Sequence, residues 1–282
     1  MMKEENSPSW GDFEKIIGQI EGLRQEAEAK AQKGQVPELF YRGQADFRWH
    51  LETTLERSVG FAVSLNDYYE NARKAKLEIE TFTDKSWEVP TYIPYSNWLK
   101  TKLRPYPTFN LLAAYPYFVY LRHHGFPSPL LDWTSSPYVA AFFAMNNPPN
   151  DTTYVSVYVS WKDFRVVEFS DLAEPAIHVL GPNVRTHRRH FLQQSRYTIC
   201  AAKPGDHWVY AKHEDAFGNS VIAQDLLWKI NIPISARPEF LAKLHKMNIN
   251  AFSLFATEDS LLETLATNIF VLNRTDMTTR VI

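Results

Sequence analysis

Three short stretches carry side chains whose types and spacing suit work on an anion. In ELFYRGQADFRWHLETTLERS, residues 38–58, an apolar run ends on Tyr41 and Arg42 and is followed at once by Gly43. A guanidinium presents a planar fork of donors that matches a phosphate or a carboxylate. Glycine lets the backbone turn sharply or a ligand come close. Arg42 therefore either closes an ion pair with a core carboxylate or meets an anionic ligand. In LRHHGFPSPLLDWTSSPYVAAFFA, residues 121–144, His123 and His124 are adjacent. Neighbours on a helix face different directions, so one is expected in the core and one toward a site. No H-x-x-x-H or E-x-x-H spacing accompanies them, so no metal site is expected. Asp132, Thr134 and Ser135 precede a helix N-terminus, whose free N–H donors and positive dipole end suit an anion. Ser136 reads as the cap of that helix, which leaves Asp132 and Ser135 without a capping role. In RTHRRHFLQQSRYTI, residues 185–199, Arg185, Arg188, Arg189 and Arg196 with His187 and His190 form a basic cluster. It is either a solvated face or an anion contact. Gln193 and Gln194 stand just before a strand, where an amide pair can grip a ribose hydroxyl or a base edge.

Other chemistries lack their signatures. There is no G-x-S-x-G, no P-loop and no G-x-G-x-x-G. Cys200 is the single cysteine, so no intramolecular disulfide or thiolate cluster forms. Its position inside an expected strand makes it a buried, inert thiol, and its solitude fits a reducing cytoplasm. Glu258, Asp259 and Glu263 are late acidic candidates, with the plainer reading that they cap and face a terminal helix.

The elements that must position these groups alternate irregularly. Residues 9–33 read as an amphipathic helix with Phe13, Ile16, Ile17, Ile20 and Leu23 on one face, capped by Ser9 with Asp12 and stopped at Gly34. ELFYRG is a short strand. Asn66 caps a second helix running to about residue 85. FNLLAAYPYFVYLRHHG is a helix ending near Gly125, with Pro116 an awkward member. Ser136-Pro137 starts a buried helix over YVAAFFAM. TTYVSVYVSW, FRVVEF, RYTICAA and DLLWKINIPI read as strands. ARPEFLAKLHKMNI and TEDSLLETLATNIF read as helices. This mixture predicts an α+β fold rather than a doubly wound sheet.

Bulk properties narrow the classes further. The 282 residues are 45% hydrophobic and 14% aromatic, enough for one large domain or two small ones, and net charge is −2. A whole-surface footprint for nucleic acid is absent, although a local patch is compatible with that charge. Residues 87–109 combine Trp87, Tyr92, Tyr95, Trp98 and Tyr106 with Lys100, Lys102 and Arg104, faces and cations suited to a single strand. The alternative is that these rings cover the core. No signal-peptide pattern and no membrane-length apolar run occurs, so a cytoplasmic protein is expected.

Taken together, FYRGQADFRWHLETTLERS, RHHGFPSPLLDWTSSPYVAAFFA, RRHFLQQSRYTI and LHKMNINAFSLFATEDSLLETL resemble the blocks of the FRG domain family across roughly residues 38–266. Three positions depart from the family pattern: Pro129 for an arginine, Ser195 for a glycine and Ala256 for a proline. The missing arginine removes an anion contact that Arg42 or the 185–189 cluster would have to supply. FYRG and WTSSPYVAAFFA are also similar, more weakly, to the aromatic-Arg strand end and Ser-Thr-Ser element of Arg-Ser-Glu ADP-ribosyltransferases. Gln193 or Gln194 falls where those enzymes carry their glutamate.

That second resemblance implies an ADP-ribosyltransferase-like fold, with a mixed or antiparallel sheet flanked by helices, over residues 36–282 behind an N-terminal helical extension at 1–35. It implies NAD as substrate with no metal. Arg42 would clamp the pyrophosphate, Tyr41 would stack on nicotinamide and Gly43 would clear space. Thr134, Ser135 and His123 or His124 would hold ribose or nicotinamide. Asp132, Ser135, Gln193 and Gln194 would join Arg42 as catalytic candidates. The acceptor would be a nucleic acid or a protein, in a toxin or phage-defence effector, and the apolar face of the N-terminal helix would cover the domain or dock a neutralising partner. The missing glutamate keeps open a non-catalytic nucleotide- or ADP-ribose-binding module. A nuclease using His123 or His124 is a third possibility.

Overall fold

The computed structural model describes residues 2–30, 37–60, 62–90, 114–162, 174–180, 187–219 and 225–272. In chain order these give β1 (Met2–Asn6), α1 (Trp10–Lys30), β2 (Glu38–Gln44), α2 (Thr54–Val59), α3 (Leu65–Lys74), α4 (Lys76–Thr83), α5 (Tyr115–His123), β3 (Leu131–Thr134) and α6 (Pro137–Met145). There follow β4 (Tyr154–Lys162), β5 (Ala176–Leu180), α7 (Arg189–Leu192), β6 (Ser195–Ala202), β7 (Val209–Tyr210), α8 (His213–Asn219), β8 (Asp225–Pro233), α9 (Arg237–Lys246), α10 (Ala251–Phe255) and α11 (Glu258–Thr267). The strands form an eight-stranded sheet in the order β1-β8-β4-β2-β3-β6-β5, with β7 also on β6. Only β1 and β8 run parallel among these described strands. The fold is thus α+β, an open, mostly antiparallel sheet flanked by helices.

Strand alternation sorts the core. Val155, Val157, Val159 and Trp161 of β4 face one cluster together with Trp228, Ile230 and Ile232 of β8. The helices α1, α6 and α9 close over it, with Trp10 edge-on to Phe240 at 5.1 Å between centroids. Tyr158 points the other way, into a cluster with Phe40, Trp133 and Phe217 of α8. A third cluster gathers α3 and α5 against Tyr197 and Ile199 of β6. Residues 2–30 are thus woven into the domain: β1 extends the sheet, and Phe13, Ile16, Ile17 and Ile20 are buried in the first cluster. The apolar face of α1 covers its own sheet, the first of the two roles the sequence allows. Leu23, expected on that face, is 46% exposed.

Several boundaries move for local reasons. Ser9 caps α1 as expected, accepting from the Asp12 amide at 3.2 Å. The second helix is capped by Ser64 rather than Asn66, through the Asp67 amide at 3.0 Å, and breaks at Ala75 into α3 and α4. Pro116 sits in the first turn of α5, where its missing N–H has no partner to lose, so it starts the helix instead of interrupting it. Ser136 caps α6 through Val139 and Pro137 is its first residue. Strands β1, β5 and β7 and helix α10 were not expected; each is five residues or fewer, too short for a periodic signal. Gly34, Arg185, the strand expected at 164–169 and the aromatic–basic residues 91–109 lie outside the described residues.

Candidate functional site

Two strands frame a gap in the sheet. β2 pairs with β4 along its whole length, from Glu38↔Lys162 to Gln44↔Ser156, yet meets β3 only at Tyr41↔Thr134. Beyond that pair the strands part, and a cleft of about 700 Å³ opens between them. Where the ladder stops, the Arg42 guanidinium takes over. Its Nη1 donates to the main-chain oxygen of Asp132 at 2.8 Å and lies 3.9 Å from the Asp132 carboxylate. Arg122, from the last turn of α5, donates to the same carboxylate through Nη2. The Nε atoms of Arg42, Arg122 and Arg189 are buried and carry no hydrogen bond to the described residues.

The cleft is strongly cationic. Arg42, Arg57, Arg122 and Arg189 line it against two carboxylates, Glu52 and Asp132, while Arg48, also in the wall, is paired with Asp46 and Asp151. That is a local concentration of positive charge in a chain of net charge −2. Burial lowers the Arg42 pKa to about 10, Asp132 opposes the shift, and Arg122 and Arg57 add to it. Arg42 stays charged at neutral pH, held at the cost of repulsion that an incoming anion would relieve. The His123 pKa is pushed down to about 4, chiefly by burial. Its neutral ring shares a hydrogen bond with the Tyr197 hydroxyl at 2.9 Å. Behind the wall, Trp133 Nε1 donates to Thr198 Oγ1 at 2.9 Å, and Thr198 reaches the buried His213 at 2.9 Å.

The gap gathers many of the residues singled out in the sequence. Arg42, Asp132, His123, Thr134 and Gln193 all line the cleft. Ser135 and Gln194 meet at its rim: Ser135 N donates to Gln194 O at 3.1 Å, and Ser135 Oγ donates to Gln194 Oε1 at 3.2 Å. Gln194 holds a positive φ of 49°, which turns the chain into β6 at that contact. Gln193 donates its amide to Leu254 O at 3.3 Å. Phe143 and Phe255 supply an apolar side, with the Arg189 guanidinium 5.4 Å above the Phe255 ring.

Three expectations are corrected. Tyr41 cannot stack on a ligand: its ring is 1% exposed, and its hydroxyl donates to Glu21 of α1 at 2.9 Å. Alternation sends Tyr41 to the face opposite Arg42. Gly43 lines the cleft with its backbone but does not turn the chain, since β2 runs on through Gln44, and the room left by its missing side chain is taken by α6. A methyl group there would overlap the Ala140 carbonyl oxygen and the Ala144 amide, so glycine is what lets α6 lie directly on the strand. His124 points outward, with its ring 4.2 Å from Tyr120, and takes no part in the cleft. The late acidic residues also lie apart. Glu258 and Asp259 occupy the first turn of α11, and Glu263 accepts from Asn147 at 3.1 Å.

Sequence reasoning missed Arg48, Trp49, His50, Glu52, Arg57, Arg122, Phe143 and Phe255 as wall residues. All of them stand inside the quoted blocks, and the density of arginine around YRG and HHG was the available signal. Among the described residues, no group of three or more His, Cys, Asp or Glu is placed to hold a metal ion, and no helix is long and apolar enough to cross a membrane. Compared with known proteins, residues 37–153 match the FRG domain model, which spans the floor of the cleft but not Arg189, Gln193, Ser195 or Phe255. No curated protein and no solved structure matches the chain.

Proposed function

We propose that this FRG domain protein, matched over residues 37–153, binds NAD in the cleft beside β2 and transfers its ADP-ribose to an acceptor. The observation that carries the reading is Arg42 at the floor of an arginine-lined gap, 15% exposed and anchored on Asp132. A pyrophosphate answers that arrangement: two adjoining anionic groups can meet Arg42 and a neighbouring guanidinium through charge-assisted hydrogen bonds. The volume falls within the ~300–1,000 Å³ typical of small-molecule sites.

In the reaction, the bond between nicotinamide nitrogen and ribose C1′ breaks, and its electron pair leaves on nicotinamide. C1′ passes through an oxocarbenium-like state and accepts a lone pair from the acceptor. The acceptor's proton passes to a base. Such a step depends on positioning and on electrostatic stabilisation more than on a strong base. Asp132 is already engaged by Arg122 and Arg42. Glu52 is the cleft carboxylate without an ion pair among the described residues, and we assign it the proton. Ser135 and Gln194 orient the ribose from the rim, and neutral His123 supplies a hydrogen bond near Asp132.

One observation favours a second reading, a binding module for ADP-ribose or a nucleotide. By the sequence resemblance Gln193 or Gln194 would stand where the transferases carry glutamate, and the amide of Gln193 is spent on Leu254. Incubation with NAD labelled in its adenylate, together with RNA, DNA or protein acceptors, separates the two. Transfer is expected, strongly reduced in Arg42→Lys and reduced in Glu52→Gln. NAD that binds without ever being consumed would establish the binding module and overturn the transferase. The cellular role proposed with this activity is that of a toxin or phage-defence effector held in check by a neutralising partner. Growth arrest on expression that Arg42→Lys removes is the matching cellular result.

A further inference from the structure

The chain leaves β2 through residues 45–52, which form one rim of the cleft. The backbone of this rim is firmly held. Phe47 N donates to Tyr154 O at 3.1 Å, and Trp49 N to Asp46 O at 3.2 Å. Tyr158 Oη donates to Trp49 O at 3.3 Å, and Gln44 Nε2 to His50 O at 3.0 Å. Glu214 of α8 accepts from Leu51 N at 3.0 Å and meets His50 Nδ1 at 3.0 Å. Asp46, 1% exposed, accepts from Arg48 through both its main chain and its guanidinium, and Asp151 takes Arg48 Nη2 at 2.9 Å. On this rigid loop the Trp49 side chain stands 51% exposed, in none of the buried clusters, facing the cleft.

A large apolar ring left in water on an immobile backbone is a surface prepared for a flat partner. Its indole face suits a nucleobase, and its setting suits the phosphate that accompanies one. Arg57, which also lines the cleft, uses Nη1 on Glu52 O at 2.9 Å, and among the described residues the rest of its fork has no hydrogen-bond partner. Arg48, neutralised by Asp46 and Asp151, braces the loop rather than supplying free charge. We infer that Trp49 is a stacking platform for a nucleobase, with Arg57, which lines the same cleft, for the attached phosphate. The inference rests on reading the cleft as a nucleotide site. The base comes from one of two sources, the adenine of NAD or a nucleotide of a nucleic-acid acceptor, and the same platform chemistry serves either.

Calorimetry on the full chain tests this with AMP, NAD, a short single-stranded oligonucleotide and, in competition, ribose 5-phosphate. Trp49→Ala is expected to weaken at least one base-bearing ligand about tenfold. Trp49→Phe, which keeps a stacking face, is expected to restore most of that loss, and ribose 5-phosphate is expected to be unaffected. Loss with AMP and NAD identifies adenine as the source; loss with the oligonucleotide alone identifies the acceptor. Equal binding of every base-bearing ligand by wild type and Trp49→Ala would overturn the platform, as would an equal loss for ribose 5-phosphate. A wild type that binds the oligonucleotide but neither NAD nor AMP would sink the NAD reading while leaving the platform standing. A wild type that binds none of the four overturns both.

Discussion

The two edges of β2 behave differently. Toward β4, seven consecutive residues are in register and the seam is closed. Toward β3, one pair forms and the seam is open. The same strand is scaffold on one edge and site on the other, and the difference is made by side chains. Leu39, Tyr41 and Gly43 commit to the packed face under α6, whereas Arg42 reaches across the gap to a main-chain oxygen that β2 has left unpaired. A sheet that stops pairing part-way supplies unpaired backbone, an enclosed volume and a route for a charged side chain in one place. This agrees with the general need of buried backbone groups for partners.

The contrast can be broken first from its closed side. Gly43→Val places two methyl groups against the backbone of α6, which cannot yield as a side-chain tip would. A loss of about 3 kcal/mol or more is expected, seen as a large fall in the denaturation midpoint or as failure to fold. Arg42→Lys attacks the open side instead. Lysine keeps the charge and loses the fork, so NAD affinity should fall by about 2 kcal/mol, some thirtyfold, with circular dichroism unchanged. If both variants fail to fold, the two edges of β2 are not separable.

A pH titration sharpens the contrast at smaller amplitude. The folded pKa of His123 is about 4, below its ordinary 6.5, so the folded state prefers the neutral ring. As pH falls below 6.5 the unfolded chain takes up the proton first, and stability drops until about pH 4, where the contribution levels. The buried His213, lowered to about 3, extends the same trend downward. Thermal melts from pH 7.5 to 4 should show a falling midpoint, with a shallower slope in His123→Gln. Smallest of all is Ser135→Ala. It removes a rim hydrogen bond to an exposed Gln194, so stability should change by about 0.5 kcal/mol or less, while any larger change in transfer rate would mark Ser135 as a ligand contact.

Much of this arrangement was legible in the sequence because its cues are local. The capping pair Ser136-Pro137, the alternating apolar residues of β4 and the run into Arg42 each announce their element within a few residues. The mixed α+β class followed from their irregular order. What stayed hidden depends on distant partners. Gly43 looked like room for a ligand because nothing local says that α6, about a hundred residues on, will press against it. Tyr41 looked like a stacking face because Glu21, its actual partner, belongs to a helix the resemblance did not cover. The roles of His123 and His124 could be divided but not assigned, since the choice depends on where Tyr197 falls.

The parallel edge carries a consequence for how the molecule is made. β1 lies along β8 with Met2 opposite Leu227, so a five-residue strand waits for a partner more than two hundred residues downstream. Local elements such as α1 can form early, but closing so long a loop carries an entropic cost that slows folding. On the ribosome, β8 must emerge before that edge can zip, which makes completion of the sheet a late event in synthesis. A bulky insertion beside β1 would therefore burden assembly more than one placed at a surface loop.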